Sequence, residues 1–228
     1  MKPARADDTA TNVPGKILGV YPQKQPGLYM QRIKTPAGRI NRPQWRRVMT
    51  LASQYCGGFP VHITTRQDIE LHNISAEHIS PVQQGLSEVN LSTFGAGGDS
   101  IRNITACPGC EFDFGCFDVM PLVYLVKDHL ENEASAFDMP RKFKISFSGC
   151  DRACAKPYIS DLAFIARTNG RLKVVGAGSL GAKPNLAIEL YENLAAEDVL
   201  PLCTAAIKLF IEYGERQNRQ RARLRHIR

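Results

Sequence analysis

Two groups of cysteines place the strongest constraint on how this chain can fold. Cys107, Cys110 and Cys116 form the first group, and Cys150 and Cys154 form the second. Thiolates from two separate groups are the usual ligands of a zinc ion or an iron–sulfur cluster, so the fold should bring both groups to one place. The three-residue gap in the second group is wider than a common zinc knuckle, and each group follows a predicted strand. These features favour the cluster over zinc.

The remaining composition is typical of a globular protein with reduced thiols. Of 228 residues, 43% are apolar and 22% are charged, which is enough to bury a substantial core. No apolar run approaches the roughly 20 residues that span a bilayer, and residues 1–16 have no signal-peptide core. We therefore expect a cytoplasmic location and no membrane partner. Cys56 and Cys203 lie in apolar surroundings and are expected in the core.

A net charge of +7 predicts an anionic partner. Much of this charge lies in residues 215–228, which we interpret as a basic C-terminal tail. Such a tail can complement a helix dipole, contact a subunit or an electron carrier, or bind nucleic acid. A nucleic-acid module would leave the cysteine groups without a role, so it is the weaker interpretation.

Apolar periodicity predicts two domains after a flexible N-terminus of residues 1–26. The first domain, residues 27–98, is expected to contain strands over residues 27–34 and 61–74 and helices over residues 43–55 and 75–89, the second capped by Ser75. The second domain, residues 99–214, is expected to contain strands over residues 102–105, 142–147, 161–166, 172–175 and 186–190 and helices over residues 117–130 and 195–213.

Five separate segments carry a recognisable pattern. They are a basic strand and turn, a Thr-x-Arg-Gln strand, an Arg-Asn pair before Cys107, a lysine-bearing strand and the last cysteine pair, in residues 29–38, 63–72, 102–109, 140–144 and 149–154. Together they resemble the sulfite and nitrite reductases that hold siroheme coupled to a 4Fe–4S cluster. The likeness runs from about residue 27 to the C-terminus. It is nearest to the small single-unit members and to dissimilatory sulfite reductase subunits.

The resemblance implies an α+β fold, in which a ferredoxin-like half-domain precedes an α/β domain with a mixed sheet that binds siroheme and a 4Fe–4S cluster. It implies an oxidoreductase, with the six-electron reduction of sulfite to sulfide as the first expectation. Nitrite reduction by the same chemistry and a non-catalytic siroheme/iron–sulfur subunit are the alternatives. A homodimer or a complex with a homologous subunit, and an external electron carrier such as ferredoxin, are the expected partners.

The resemblance also assigns roles to polar side chains. Siroheme carries carboxylates and the substrate is an oxyanion, so the site needs fixed cations. The residues expected to bind substrate oxygens and relay protons are Arg102, Lys142 and Lys144, with one member of the pair Arg32 and Lys34. Those expected to hold the cofactor are Thr65, Arg66 and Asn103. Asp151-Arg152 departs from the Pro-Asn that the family often has inside the last cysteine pair, and Arg152 is expected to contact a cofactor carboxylate or a partner.

The cysteine ligands are only partly assigned by the resemblance. Cys154 matches the family cysteine whose sulfur bridges the cluster and the siroheme iron, and Cys150 is its neighbouring ligand. The family separates its first two ligands by five residues and opens with a Cys-Pro-Gly context. Cys107 has the context, Cys110 and Cys116 have the spacing, and a shortened loop would pair Cys107 with Cys110. Two of these three are expected to ligate the cluster, with Cys107 preferred for its strand-end position.

Overall fold

Two sheets with helices packed against them organise this computed structural model, which describes residues 15–109, 116–181 and 183–227. Within those residues, no helix is long and apolar enough to cross a bilayer. The observed mixture of helices with one antiparallel and one mixed sheet agrees with the predicted α+β class. Cys56 and Cys203 are buried in the two cores, as predicted.

The first sheet has four antiparallel strands in the order β1-β2-β4-β3: β1 (Val20–Pro22), β2 (Leu28–Ile33), β3 (His62–Ile63) and β4 (Ile69–Ser75). Helices α1 (Arg42–Tyr55) and α2 (Ile79–Ser87) contribute to the same core as the apolar residues of β4. Asn41 caps the start of α1 with a capping box. Its side-chain oxygen accepts a hydrogen bond from the Gln44 backbone N–H, and the Gln44 side-chain oxygen accepts one from the Asn41 backbone N–H.

Three sequence expectations for this half are corrected. The single strand predicted over residues 61–74 is a hairpin, because Thr64 Oγ1 accepts backbone N–H groups of Arg66 and Asp68 and turns the chain. Ser75 does not cap the following helix with its side chain, and instead contacts His78 Nδ1 at 2.8 Å. The segment predicted to be a flexible N-terminus contributes strand β1, while residues 1–14 lie outside the described residues.

The second sheet is mixed and has the order β5-β6-β7-β8-β9. Its strands are β5 (Thr105–Ala106), β6 (Ile145–Ser148), β7 (Leu162–Ala166), β8 (Leu172–Gly176) and β9 (Ile188–Leu194), with the first three parallel and the rest antiparallel. Helices α3 (Met120–Glu131) and α4 (Val199–Tyr213) share its larger core. Phe143, which precedes β6, and Phe147 within it are both fully buried in that core.

The predicted basic tail folds back onto the second domain. Arg223 is almost completely buried and pairs with Asp161 at 2.8 Å. Arg219 pairs with Asp99 at 2.7 Å, and Arg216 Nη1 lies 3.1 Å from an Asp138 carboxylate oxygen. These three arginines therefore neutralise acidic groups of their own chain instead of forming a free cationic extension.

Candidate functional site

A cleft of about 410 Å³ at the junction of the two domains gathers five cationic side chains. They are Arg32, Arg66, Arg102, Lys142 and Lys144. The first two come from the first domain, and the other three precede strands β5 and β6 of the second. Five of the predicted substrate and cofactor residues are therefore brought together by tertiary structure, and a sixth, Thr65, also lines the cleft.

Hydrogen bonds across the domain junction hold the cleft in shape. Arg66 Nη2 donates to the Asn103 carbonyl at 2.5 Å and also reaches the Ile145 carbonyl at 3.4 Å. Asn103 Nδ2 donates in turn to the carbonyls of Thr35 and Arg66, at 2.8 and 3.0 Å. Asn103 is therefore buried at the junction, where it fixes the position of Arg66 through hydrogen bonds. Asn103 itself does not line the cleft.

Burial lowers the pKa of both lysines in the cleft. The pKa of Lys144 is lowered to about 8, first by burial and then by the charges of Arg66 and Arg223. The pKa of Lys142 is lowered by burial and by Arg102 and Arg223. An ammonium group with a pKa near 8 stays largely charged at neutral pH, yet it can release its proton at small cost. Lys144 is thus suited to proton transfer as well as to anion binding.

Two acidic residues also line the cleft, and both were missed at the sequence level. Glu70 accepts from Arg32 Nε and Nη2 at 2.9 and 2.7 Å, which fixes the direction of that guanidinium. Burial raises the pKa of Asp68 to about 6, although Arg32 and Arg102 oppose this rise. The alternation of β4 could have revealed Glu70, because Glu70 and His72 lie on the face opposite the buried Leu71.

Several buried polar atoms of the cleft, the domain junction and strands β5 and β6 have no hydrogen-bond partner among the described residues. They include Arg66 Nε, Arg102 Nε and Asn103 Oδ1, and also the hydroxyls of Thr105 and Ser148 on β5 and β6. Leaving a buried donor or acceptor unsatisfied costs about 1–3 kcal/mol each, so such a group of atoms is typical of a site that a bound polar molecule completes. The donors and the surrounding charge fit a cofactor rich in carboxylates.

Lys34 is the predicted cation that the fold places elsewhere. Strand β2 ends at Ile33, so the alternation that directs Arg32 into the cleft does not extend to Lys34. Lys34 is buried with its Nζ 3.9 Å from Glu131, and it lines a separate cavity with Lys127. Burial lowers its pKa, against the charge of Glu131. Of the Arg32 and Lys34 pair, only Arg32 reaches the cleft.

The two cysteine groups meet at one edge of the second sheet. Cys107 follows β5 and Cys150 follows β6, and these adjacent strands are parallel, so both cysteines leave the sheet at its carboxyl end. The Gly149 backbone N–H donates to Cys107 Sγ at 3.1 Å. Backbone N–H donation to sulfur is a feature of iron–sulfur sites. Cys107 is buried, while Cys154 is exposed.

Arg152 joins the first cysteine group to the second. Its Nη2 lies 3.1 Å from Cys116 Sγ and its Nε lies 3.3 Å from Cys150 Sγ, in a cavity of about 650 Å³. This hydrogen bond from Arg152 is the main cause that lowers the pKa of Cys150. Arg152 was predicted to contact a cofactor carboxylate, and in the structure it contacts thiols. Cys110 lies outside the described residues.

The basic cleft and the thiol-lined edge lie on the same pair of strands. Lys144 precedes β6 and Cys150 follows it, and an extended chain rises about 3.3 Å per residue, so roughly 20 Å separates them along the strand. The fold and the site thus define a protein that binds a metal or a cluster beside an anion-binding cleft. The chain belongs to the nitrite and sulphite reductase 4Fe-4S domain family, whose pattern matches residues 97–227.

Residues 21–89 match the nitrite/sulfite reductase ferredoxin-like half domain. These matches confirm the predicted family, fold class and cofactor pair of siroheme and a 4Fe–4S cluster. The assimilatory ferredoxin-dependent nitrite reductase of Haloferax mediterranei is 31% identical over 92% of the chain, and the sulfite reductase [NADPH] hemoprotein beta-component of Nitrobacter hamburgensis is 28% identical over 87%. The chain spans only 39% and 40% of those two relatives.

Two solved structures share the fold. The NirA protein of Mycobacterium tuberculosis superposes with a TM-score of 0.82 at 22% identity, covering 92% of this chain and 42% of that one. Dissimilatory sulfite reductase I superposes with a TM-score of 0.74 at 14% identity, covering 88% of this chain and 66% of that one. At these identities the likeness supports the architecture alone.

Proposed function

We propose that this chain acts as a siroheme- and 4Fe–4S-dependent reductase, with sulfite, reduced by six electrons to sulfide, as the first candidate substrate. The observation that carries the proposal is the convergence of five cations from two domains in one cleft. When bound, the cofactor pair supplies the electrons and the iron at which an oxyanion is reduced. The tasks left to the protein are to orient the oxyanion, balance its charge and deliver protons.

The cleft residues divide by their chemistry. Arg32 and Arg102 present planar guanidinium groups with several donors and are suited to hold substrate oxygens. Lys142 and Lys144 supply further charge, and the lowered pKa of Lys144 suits it to donate protons. Arg66, with Thr65 and the junction residue Asn103, is suited to hold cofactor carboxylates, because its Nε is a buried donor with no partner among the described residues.

We infer that Cys107, Cys116, Cys150 and Cys154 hold the cluster. The support is the position of Cys107 beside Gly149 and the contact of Arg152 with both Cys116 and Cys150. Cys107→Ser and Cys116→Ser are expected to lose iron and acid-labile sulfide, whereas Cys110→Ser is expected to retain both. Loss of the cluster in Cys110→Ser with retention in Cys107→Ser would instead assign the ligand to Cys110.

The oxyanion can be tested directly. Sulfite carries up to two negative charges and nitrite one, so a cleft whose five cations outnumber its two carboxyl groups, Asp68 and Glu70, favours sulfite. Nitrite is the second candidate, because several relatives are named nitrite reductases. The experiment compares kcat/KM for the two oxyanions with a reduced viologen as donor. A higher kcat/KM for nitrite would overturn the choice of sulfite and leave the reaction class intact.

The reductase proposal itself can be tested by an absorption spectrum and by two variants of the cleft. Protein isolated without oxygen should show Soret and red absorption bands, with iron and acid-labile sulfide present. Lys142→Ala and Lys144→Ala should each keep these bands and lose most of the turnover, whereas Lys208→Ala, an exposed residue of α4, should behave as wild type. Full turnover in both cleft variants would disprove the assigned roles.

The partners are proposals of the same kind. Ferredoxin is the proposed class of electron donor, since several relatives are named as ferredoxin-dependent enzymes. The homodimer or complex with a homologous subunit, the cytoplasmic location and the domain boundaries near residues 98 and 214 stay predictions. Sedimentation of the loaded protein and reduction by a purified ferredoxin are the measurements that test the first two.

A further inference from the structure

A second group of metal-binding side chains lies on the first sheet, away from the cysteines. His62, Glu70 and His72 each direct a ligand atom toward the others, and these atoms all lie within 4.8 Å of one another. Imidazole nitrogen and carboxylate oxygen are ligands that divalent transition ions accept together. Neither the resemblance to the reductases nor the proposed reaction gives this group a role.

The sheet places the three residues by register. Strands β3 and β4 are antiparallel, and His62 pairs directly with Glu70. His72 lies two residues beyond Glu70 on the same strand, so it projects from the same face. The intervening Leu71 is fully buried on the opposite face, which anchors this part of β4 against the core. Two of the three ligands are therefore set by a rigid strand and the third by its paired neighbour.

Neighbouring groups orient the ligands further. Arg32 donates two hydrogen bonds to Oε1 of Glu70, while Oε2 of Glu70 lies 3.3 Å from His72 Nε2. The rings of His62 and His72 lie 4.5 Å apart, and Phe59 packs against both at 5.4 Å. Metal ligands are commonly oriented by hydrogen bonds and surrounded by apolar side chains, as Glu70 is held by Arg32 and the two histidine rings are covered by Phe59. Burial also lowers the pKa of His72, which favours the neutral imidazole that binds a metal.

We propose that His62, Glu70 and His72 form a binding site for a divalent first-row transition ion such as Zn²⁺, with water in the remaining coordination positions. Ligand bonds of 2.0–2.2 Å require donor atoms no more than about 4.4 Å apart. The three ligand atoms already lie within 4.8 Å of one another, so a small rotation of the exposed His62 side chain is enough to reach this spacing.

The site touches the basic cleft through one residue. Glu70 lines the cleft and holds Arg32 there, so an ion on its other oxygen adds positive charge beside the anion-binding groups. The metal-site inference nevertheless stands apart from the proposed reductase function, because its test measures ion binding alone.

Calorimetric titration of Zn²⁺ into cofactor-loaded, tag-free protein under anaerobic conditions tests the site. Wild type is expected to bind one Zn²⁺ with the cluster absorbance unchanged. His62→Ala and His72→Gln should each weaken this binding at least about tenfold. His129→Gln, a histidine on α3, is the matched control and should bind as wild type.

A second readout keeps the test independent of folding. Zn²⁺ should raise the Tm of wild type and of His129→Gln, and it should leave the Tm of the two site variants unchanged. Binding of equal strength in wild type and both site variants would place the ion on other ligands, such as the thiols, and would overturn the proposal. An absence of Zn²⁺ binding by the wild-type protein would overturn it as well.

Discussion

Replacing Arg223 by methionine removes the cation that faces the buried carboxylate of Asp161. The Asp161 side chain is 1% exposed and that of Arg223 is 10% exposed. Arg223 Nη2 donates to both carboxylate oxygens of Asp161 at 2.8–2.9 Å, and Nε donates to Oδ1 at 3.2 Å. Asp161 also accepts from the Lys144 backbone at 2.8 Å. The substitution keeps most of the side-chain volume, so its main effect is to leave a buried carboxylate without its counter-ion.

The expected cost follows from burial. Breaking a buried ion pair by removing one partner costs about 3–5 kcal/mol. For a chain of this size each kcal/mol lowers Tm by about 2–4 °C, so Arg223→Met should lower Tm by roughly 6–20 °C. Arg219→Met is the matched control, because Arg219 is 60% exposed in its pair with Asp99. An exposed pair contributes only about 0–1 kcal/mol.

Thermal unfolding followed by circular dichroism, at one scan rate and with the cofactors loaded, measures both variants. Asp161→Asn combined with Arg223→Met should recover part of the loss, since the neutral amide no longer needs a counter-ion. If Arg223→Met lowered Tm no more than Arg219→Met, the argument from burial would be refuted, and with it the conclusion that the basic tail is part of the folded domain.

Three further predictions concern the cleft, a helix cap and a tight turn. Activity should fall as pH rises through about 8, because Lys144 then loses the proton and the charge that the reaction needs; an activity profile flat to pH 10 would contradict this. Asn41→Ala should lower the free energy of unfolding by about 1 kcal/mol in urea titration, since it removes the acceptor for the Gln44 backbone, with no change in activity. Gly178→Ala should lower the yield of folded protein on gel filtration, because a Cβ there would lie 2.5 Å from the Tyr158 carbonyl oxygen; a Tm equal to wild type would contradict the clash.

The errors in the sequence-level prediction have identifiable physical causes. Residues 61–74 were predicted as one strand because β-branched residues cluster near residue 63, but the hydroxyl of Thr64 and the positive φ of Gln67 help to turn them into a hairpin. The resemblance left Arg32 and Lys34 as alternatives for one role, because the motif does not show that β2 ends between them. Arg223 was read as part of a solvated tail, because its partner Asp161 lies 62 residues earlier in the chain.

Local patterns and motifs along the chain were enough to predict the family, the cofactor pair and most of the strands and helices. Cys107, Cys116 and Cys150 were all recognisable as candidate ligands in this way. Which of these side chains meet depends on how distant segments pack together. The parallel pairing of β5 and β6 brings Cys107 beside Gly149 and the neighbouring Cys150, and packing of the two domains directs Arg32 rather than Lys34 into the cleft. The physical reason is that charge and metal binding depend on distances between residues far apart in the chain, which local propensity does not encode.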